Sequence, residues 1–216
     1  MPHAAKSHAS QSCYDRLRSL LLYGQVPPGQ RLREAHWAQQ LGVNRTVCRE
    51  AMVRLAHEGL LRAGDKGGYF CPVYEQADLD QIWETRRVLE LAALDRLLTQ
   101  PDRAAIAQEL RATADTMEQL LQMQLYLGFI EADRQFHRQL VQRAGNDHLT
   151  RVYENAALPL VVGLAGLDQL VRHNGGETLR EHRELAAAIE AGQASTARRI
   201  LRQHLHGQLC SASPVN

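Results

Sequence analysis

Apolar residues recur along this chain mostly at helical spacing, and the breaks in that rhythm mark out its elements. Tyr14, Leu17, Leu20 and Leu21 share one face of a helix expected over 12–23, which Gly24 stops before the rigid turn Val26-Pro27-Pro28-Gly29. Residues 1–11 are small and polar and are expected as a flexible arm. Over 33–57 the pattern predicts two short helices meeting at a sharp corner. Trp37, Ala38 and Leu41 form the buried stripe of the first, and Gly42 supplies the permissive backbone for the corner. Asn44 is a good N-cap for the second, whose Val47, Ala51, Met52, Val53 and Leu55 lie behind a polar front. Leu60-Leu61 and 69–73 predict two short strands around the glycine-rich 63–68, which is hairpin chemistry.

Past a short linker at 75–78, strand signals stop. Helices are expected over 79–98, 102–124, 128–144, 149–168 with a kink at Pro159, 177–191 and 194–209, with Gly175-Gly176 as a turn and 210–216 as a tail. The expected fold is therefore mainly α: an N-terminal winged helix-turn-helix over 12–74, then an all-α antiparallel helical bundle over 79–209.

Composition sharpens this division. The chain has 216 residues, enough for one large domain or two small ones, and a formal net charge of +1. That near-neutrality hides an asymmetry. Residues 1–74 carry ten Lys and Arg against five Asp and Glu, and the remainder fifteen against nineteen. A basic head on an acidic body suits a nucleic-acid reader tethered to a regulatory part. Cys13, Cys48, Cys71 and Cys210 are widely spaced, which argues against a disulfide framework or a thiolate zinc site and fits a reducing cytoplasm. With no apolar signal core and no run approaching a membrane span, a soluble cytoplasmic protein without a membrane partner is expected.

Two groups of residues carry chemistry. Arg45, Thr46 and Arg49 open the second helix of the corner, and Arg45 and Arg49, four apart, share an exposed face suited to guanine edges or phosphates of double-stranded DNA. The bland reading is a solvated charged face on any helical bundle. Lys66, one of only two lysines, sits at the hairpin tip, the layout of a wing that touches DNA backbone or minor groove.

In the second half, Asp133 and His137 fall in phase with the apolar Ile130, Leu140, Val141 and Ala144. His182 is in register with Leu179, Ala186 and Ile189, and His204 with Ala197, Ile200 and Leu201, whereas His206 should face outward. A single inward histidine is ordinarily a satisfied core residue. Three of them with an inward carboxylate point to a divalent metal, since burying that carboxylate uncompensated is costly. A thiolate-free Asp-His-His-His set suits zinc, nickel, iron or manganese, with zinc placed first, and leaves room for a small carboxylate. Arg86 is a candidate effector contact or simply the i,i+4 partner of Glu90. Asn146 beside Gly145 reads as a helix C-cap.

The chain resembles the GntR family of bacterial transcription regulators, in the FadR-type branch with an all-helical FCD effector domain. The resemblance runs through Pro28-Gly29-Gln30-Arg31-Leu32, Leu41-Gly42-Val43-Asn44-Arg45-Thr46, Arg49-Glu50-Ala51, Glu58-Gly59-Leu60 and Gly67-Gly68-Tyr69-Phe70. In the bundle it runs through Arg86 to Glu90, Asp133 with Phe136-His137, Gly145-Asn146, Glu181-His182 and His204-Leu205. It implies DNA contacts at Arg33, Arg45, Thr46, Arg49, Lys66 and Gly67, and metal binding at Asp133, His137, His182 and His204. Asn44 stands where the family usually has Ser, so it joins the candidate DNA-binding positions as a residue that alters the operator half-site. Val47-Cys48 replace the family's usual Pro-Val, and Trp37 its usual Leu. The resemblance further implies a homodimer on a palindromic operator that answers to a small organic acid. Two alternatives stand beside it: a metal-dependent hydrolase using the Asp/His site, and a metal-free pocket built from the same side chains.

Overall fold

A computed structural model of the chain describes residues 2–65, 67–156 and 167–211. These residues are mostly helical and fall into two compact units, one of 2–73 with 154–156 and one of 74–153 with 167–211.

The first unit begins with α1 (Pro2–Leu22), so the stretch expected as a flexible arm is helical. No helix breaker follows Pro2 before Gly24, and a proline is tolerated in a first turn. The arm's end is also held: Ser10 Oγ donates to Glu50 at 3.4 Å and Arg54 donates to Gln11 at 2.9 Å. Further along, Arg54 lies over the Tyr14 ring and the Tyr14 hydroxyl donates to Glu58 at 2.8 Å, which seats α1 on α3 (Arg45–His57). Between them, α2 (Glu34–Leu41) ends on Gly42, whose φ of +67° is the left-handed conformation that turns the corner. Asn44 caps α3 by accepting a 2.8 Å hydrogen bond from the Val47 amide.

Val47, Cys48, Ala51, Met52 and Leu55 are buried, but Val53 is 51% exposed and Trp37 only partly covered, both contrary to the sequence reading. Val53 follows Met52 by one position, 100° around the helix, and so leaves the buried stripe.

The wing is a three-stranded antiparallel sheet, in the order β1 (Arg31–Leu32), β3 (Tyr69–Phe70), β2 (Arg62–Ala63). Leu60-Leu61 precede β2 instead of forming it, because Leu55 O takes both their amides as the helix unwinds. The strand β1 carried no alternation long enough to be seen in the sequence.

In the second unit, α4 (Gln76–Leu98) packs on α6 (Tyr126–Gln142) and α9 (Ala194–Ser211). In turn, α5 (Arg103–Gln122) packs on α6 and α8 (Leu167–Glu190), and α8 on α9. The shorter α7 (Asp147–Asn155) follows α6. The bundle packs around Leu94, Leu97, Leu110, Phe136, Leu140, Ile189 and Leu201. It is not antiparallel throughout as expected: α4 and α6 run the same way, since Glu90 meets His137 and, further on, Arg96 meets Ala144 and Gly145, because α5 returns the chain between them. The expected linker at 75–78 is instead the start of α4, where Asp78 reaches back to accept from the Glu75 amide at 3.0 Å. Nor is Gly175-Gly176 a turn: α8 runs straight through it. A Cβ on Gly175 would meet Leu121 Cδ1 at 2.9 Å, so this glycine permits close approach to α5. Asn146 accepts from the amides of His148 and Leu149 at 3.1 Å each, so it caps the start of α7 and not the end of α6. The helix expected over 149–168 ends at Asn155, and Pro159 lies outside the described residues, as do 212–216 of the expected tail.

Candidate metal centre and nucleic-acid face

Helix α3 exposes the arginines that follow its Asn44 cap. Arg45, Thr46 and Arg49 are exposed, as are Arg33 at the entry to α2, Asn44 at the cap and Gly67 on the wing. Lys66 lies outside the described residues. Arg49 is loosely tethered, its Nε 3.7 Å from a Glu34 carboxylate oxygen, with the guanidinium mostly in solvent. Cys48 faces the opposite way, wholly buried and hydrogen-bonded with Cys13. Burial, followed by the Cys13 neighbour, pushes its thiol up to about 12, as befits an inert packing residue.

In the bundle, α6, α8 and α9 bring Asp133, His137, His182 and His204 together, with one ligand atom from each lying within 4.8 Å of the others. The three imidazoles are buried, and the Asp133 side chain keeps 16% exposure. Each ring is oriented from behind. His137 Nδ1 lies 2.6 Å from Glu90 Oε2, His182 Nδ1 is 2.7 Å from the Thr178 carbonyl, and His204 Nδ1 is 2.8 Å from Glu181 Oε2. All three partners are acceptors, so each Nδ1 donates its proton outward and each Nε2 is the ring atom turned inward.

The consequences show in the contacts. His137 Nε2 and His204 Nε2 face each other at 3.0 Å. His182 Nε2 and Asp133 Oδ1 are buried 3.3 Å apart, and neither has a hydrogen-bond partner among the described residues. Such convergence of unsatisfied acceptors fits a cation. Burial, then the neighbouring His204, holds His182 down at about 3. Burial, then His137, does the same to His204. Burial alone would raise the Asp133 carboxyl, but the imidazoles and Arg86 hold it below its ordinary value. His182 and His204 are thus held neutral and Asp133 ionised, the forms in which they can bind a divalent ion.

Arg86 forms the i,i+4 pair that was one of its two sequence readings: its Nε donates to Glu90 Oε1 at 2.6 Å. Tyr153 donates to the same oxygen at 3.0 Å. Burial opposes ionisation of Glu90, but His137 and Arg86 outweigh it and keep the carboxyl well below the usual range. Sequence reasoning missed Glu90, Thr178, Glu181 and Tyr153 as supports of the centre. Glu90 did leave a signal, since it interrupts the apolar phase of Trp83, Leu94 and Leu97 on α4. His206 is exposed, as expected.

Among known families, the FCD domain matches residues 81–207, and the bacterial regulatory proteins of the gntR family match residues 9–71. The HTH-type transcriptional regulator YdhC of Bacillus subtilis (strain 168) is 26% identical over 193 residues, covering 89% of this chain and 86% of that protein. An HTH-type regulator from the ttuE-ttuC' intergenic region of Agrobacterium vitis is 34% identical over 132 residues, 60% of this chain and 77% of its own length. The solved structure of Escherichia coli McbR/YncC superposes with a TM-score of 0.69 at 23% identity, covering 94% of this chain and 96% of that one, and so shares its fold. The family and the relatives' names describe transcriptional regulators and not enzymes, which removes the hydrolase alternative. A winged helix-turn-helix and a helical domain with an Asp-His-His-His centre therefore belong to one known design: this chain is a member of the GntR family of bacterial transcriptional regulators that carry an FCD domain.

Proposed function

We propose that this regulator binds a palindromic DNA operator as a cytoplasmic homodimer and senses a small organic acid at a divalent metal held by Asp133, His137, His182 and His204. The observation that carries the sensing half is the convergence of three Nδ1-anchored imidazoles and a carboxylate on one point. Zinc comes first among zinc, nickel, iron and manganese, because a nitrogen-rich, thiolate-free set with one carboxylate suits it well. When bound, the ion would supply Lewis-acid affinity for an anionic ligand. The chain's own part is to hold four donors oriented, with His182 and His204 neutral and Asp133 ionised. Arg86 serves this centre by keeping Glu90 ionised behind His137.

On the DNA side, Arg45, Thr46 and Arg49 read base edges with Asn44 setting the half-site, while Arg33, Lys66 and Gly67 hold the phosphate backbone. Exposure of Arg33, Asn44, Arg45, Thr46, Arg49 and Gly67 supports this assignment. Effector binding then biases operator affinity by about 1–3 kcal/mol, the usual size of such coupling.

The test takes a duplex selected from a random-sequence pool by the purified protein. Arg49→Ala is expected to cost about 1–3 kcal/mol on that duplex and to relax discrimination, read by gel shift at fixed salt. Elemental analysis of the same preparations reads the metal, with His182→Ala expected to lower its content. Undiminished binding by Arg49→Ala, or equal metal in His182→Ala and wild type, removes the corresponding residue from its role.

A further inference from the structure

We infer that Arg31 is the positioning residue of the wing, holding the hairpin tip in the orientation in which it meets DNA; this rests on the proposed DNA-binding role of the unit. The strands of the wing are two residues each, so the ladder alone fixes little of where the tip points. In register, Arg31 and Arg62 both lie opposite Phe70, and directly opposed residues share a face. Leu32 is fully buried, so its neighbour Arg31 faces outward along with that row.

From this position the Arg31 guanidinium does two things. Its Nη2 donates to the Gly67 carbonyl at 3.0 Å, and its Cζ lies 5.7 Å from the Phe70 ring centroid. The tip is shaped to receive it. Gly68 has φ of +86°, and a Cβ there would stand 3.1 Å from Arg31 Nε. On the other side, a Cβ on Gly64 would come 2.4 Å from Phe70 Cε2, so the ring lies directly against the Gly64 backbone. The tip closes on itself through Gly64 N to Gly68 O at 3.0 Å and Gly67 N to Gly64 O at 2.9 Å. Arg31, Phe70 and the glycine backbone thus form one clamp between β1 and the tip. The guanidinium fork and its flat face both matter, which lysine does not reproduce.

Gel shifts on the selected duplex, with Arg31→Ala, Arg31→Lys, Lys66→Ala and the Arg31→Ala/Lys66→Ala double variant, test this over a salt series. Loss of one such clamp is expected to weaken binding about five-fold, as for one net hydrogen bond. Arg31→Lys should fall with Arg31→Ala although it keeps the charge. The double variant should bind no more weakly than the weaker single, because both act through the tip. Full affinity in Arg31→Lys, or additive losses with an independent drop in salt slope for Arg31→Ala, makes Arg31 a phosphate contact and overturns the inference. Wild-type affinity in Arg31→Ala alongside an impaired Arg49→Ala also overturns it. Wild-type affinity in Arg49→Ala and Lys66→Ala together sinks the underlying DNA reading instead. Should Arg31→Ala not fold, the Arg31→Lys comparison decides alone.

Discussion

The chemistry of the centre is decided by which nitrogen of each histidine carries a proton. Glu90, the Thr178 carbonyl and Glu181 each take an Nδ1–H, leaving the three Nε2 atoms turned toward the centre with Asp133. Two of these supports are carboxylates, which raise the donor strength of His137 and His204 above that of a carbonyl-backed ring. Glu181→Gln is therefore expected to weaken metal binding about 10- to 100-fold, measured by competition with a chromogenic chelator. An unchanged affinity would make Glu181 a bystander. Glu90→Gln is a less clean probe, because Glu90 is fully buried and also pairs with Arg86 and Tyr153. Removing its charge leaves a guanidinium without its carboxylate, and about 3–5 kcal/mol of stability is at stake in such a broken pair.

Among the elements, α8 bears most directly on the centre, because it carries both Gly175 and His182, two turns apart on nearly the same face. The close approach at Gly175 to Leu121 of α5 sets the seat of α8, and that seat aims His182 at the centre. Gly175→Leu should cost about 1–3 kcal/mol through overpacking. Gly176 is exposed, and a Cβ there would meet nothing within 4 Å, so Gly176→Ala should add up to about 1 kcal/mol of helix propensity. Urea unfolding of both variants checks the pair. Destabilisation by Gly176→Ala would mean that α8 does break there. The same logic explains why the sequence suggests a turn at this point: paired glycines are turn chemistry unless a neighbouring helix needs the space they leave, and α5 is far away in sequence.

At the scale of the whole molecule, the buried centre makes stability depend on pH in the metal-free protein. His182 and His204 are held at about 3 in the fold against an ordinary 6.5. Between those values the unfolded chain binds protons the folded chain refuses, so stability falls as pH drops through that window. Asp133, held below its ordinary 3.8, acts in the same direction, its contribution being lost as pH falls through its lowered value. Chelator-treated protein should melt at progressively lower temperature from about pH 6.5 to about pH 4.5. A flat or rising profile would show that these imidazoles are not buried neutral. Divalent metal should raise the melting temperature near neutral pH and lose that effect on acidification, since protons compete for the same Nε2 atoms.

Much of this design is written locally. Apolar spacing with Gly42 and Asn44 specifies the corner of α2 and α3, because a left-handed glycine and an N-cap act within a few residues of themselves. The inward phase of Asp133, His137, His182 and His204 is likewise a property of each helix alone. Tertiary structure decided the rest. It made a strand of Arg31-Leu32, which has no strand character without β3 to pair with. It carried α8 through two glycines and gave Glu90 and Glu181 their histidines on other helices. Periodicity states which way a side chain points from its own axis; only the packing of α4, α6, α8 and α9 determines what it meets there.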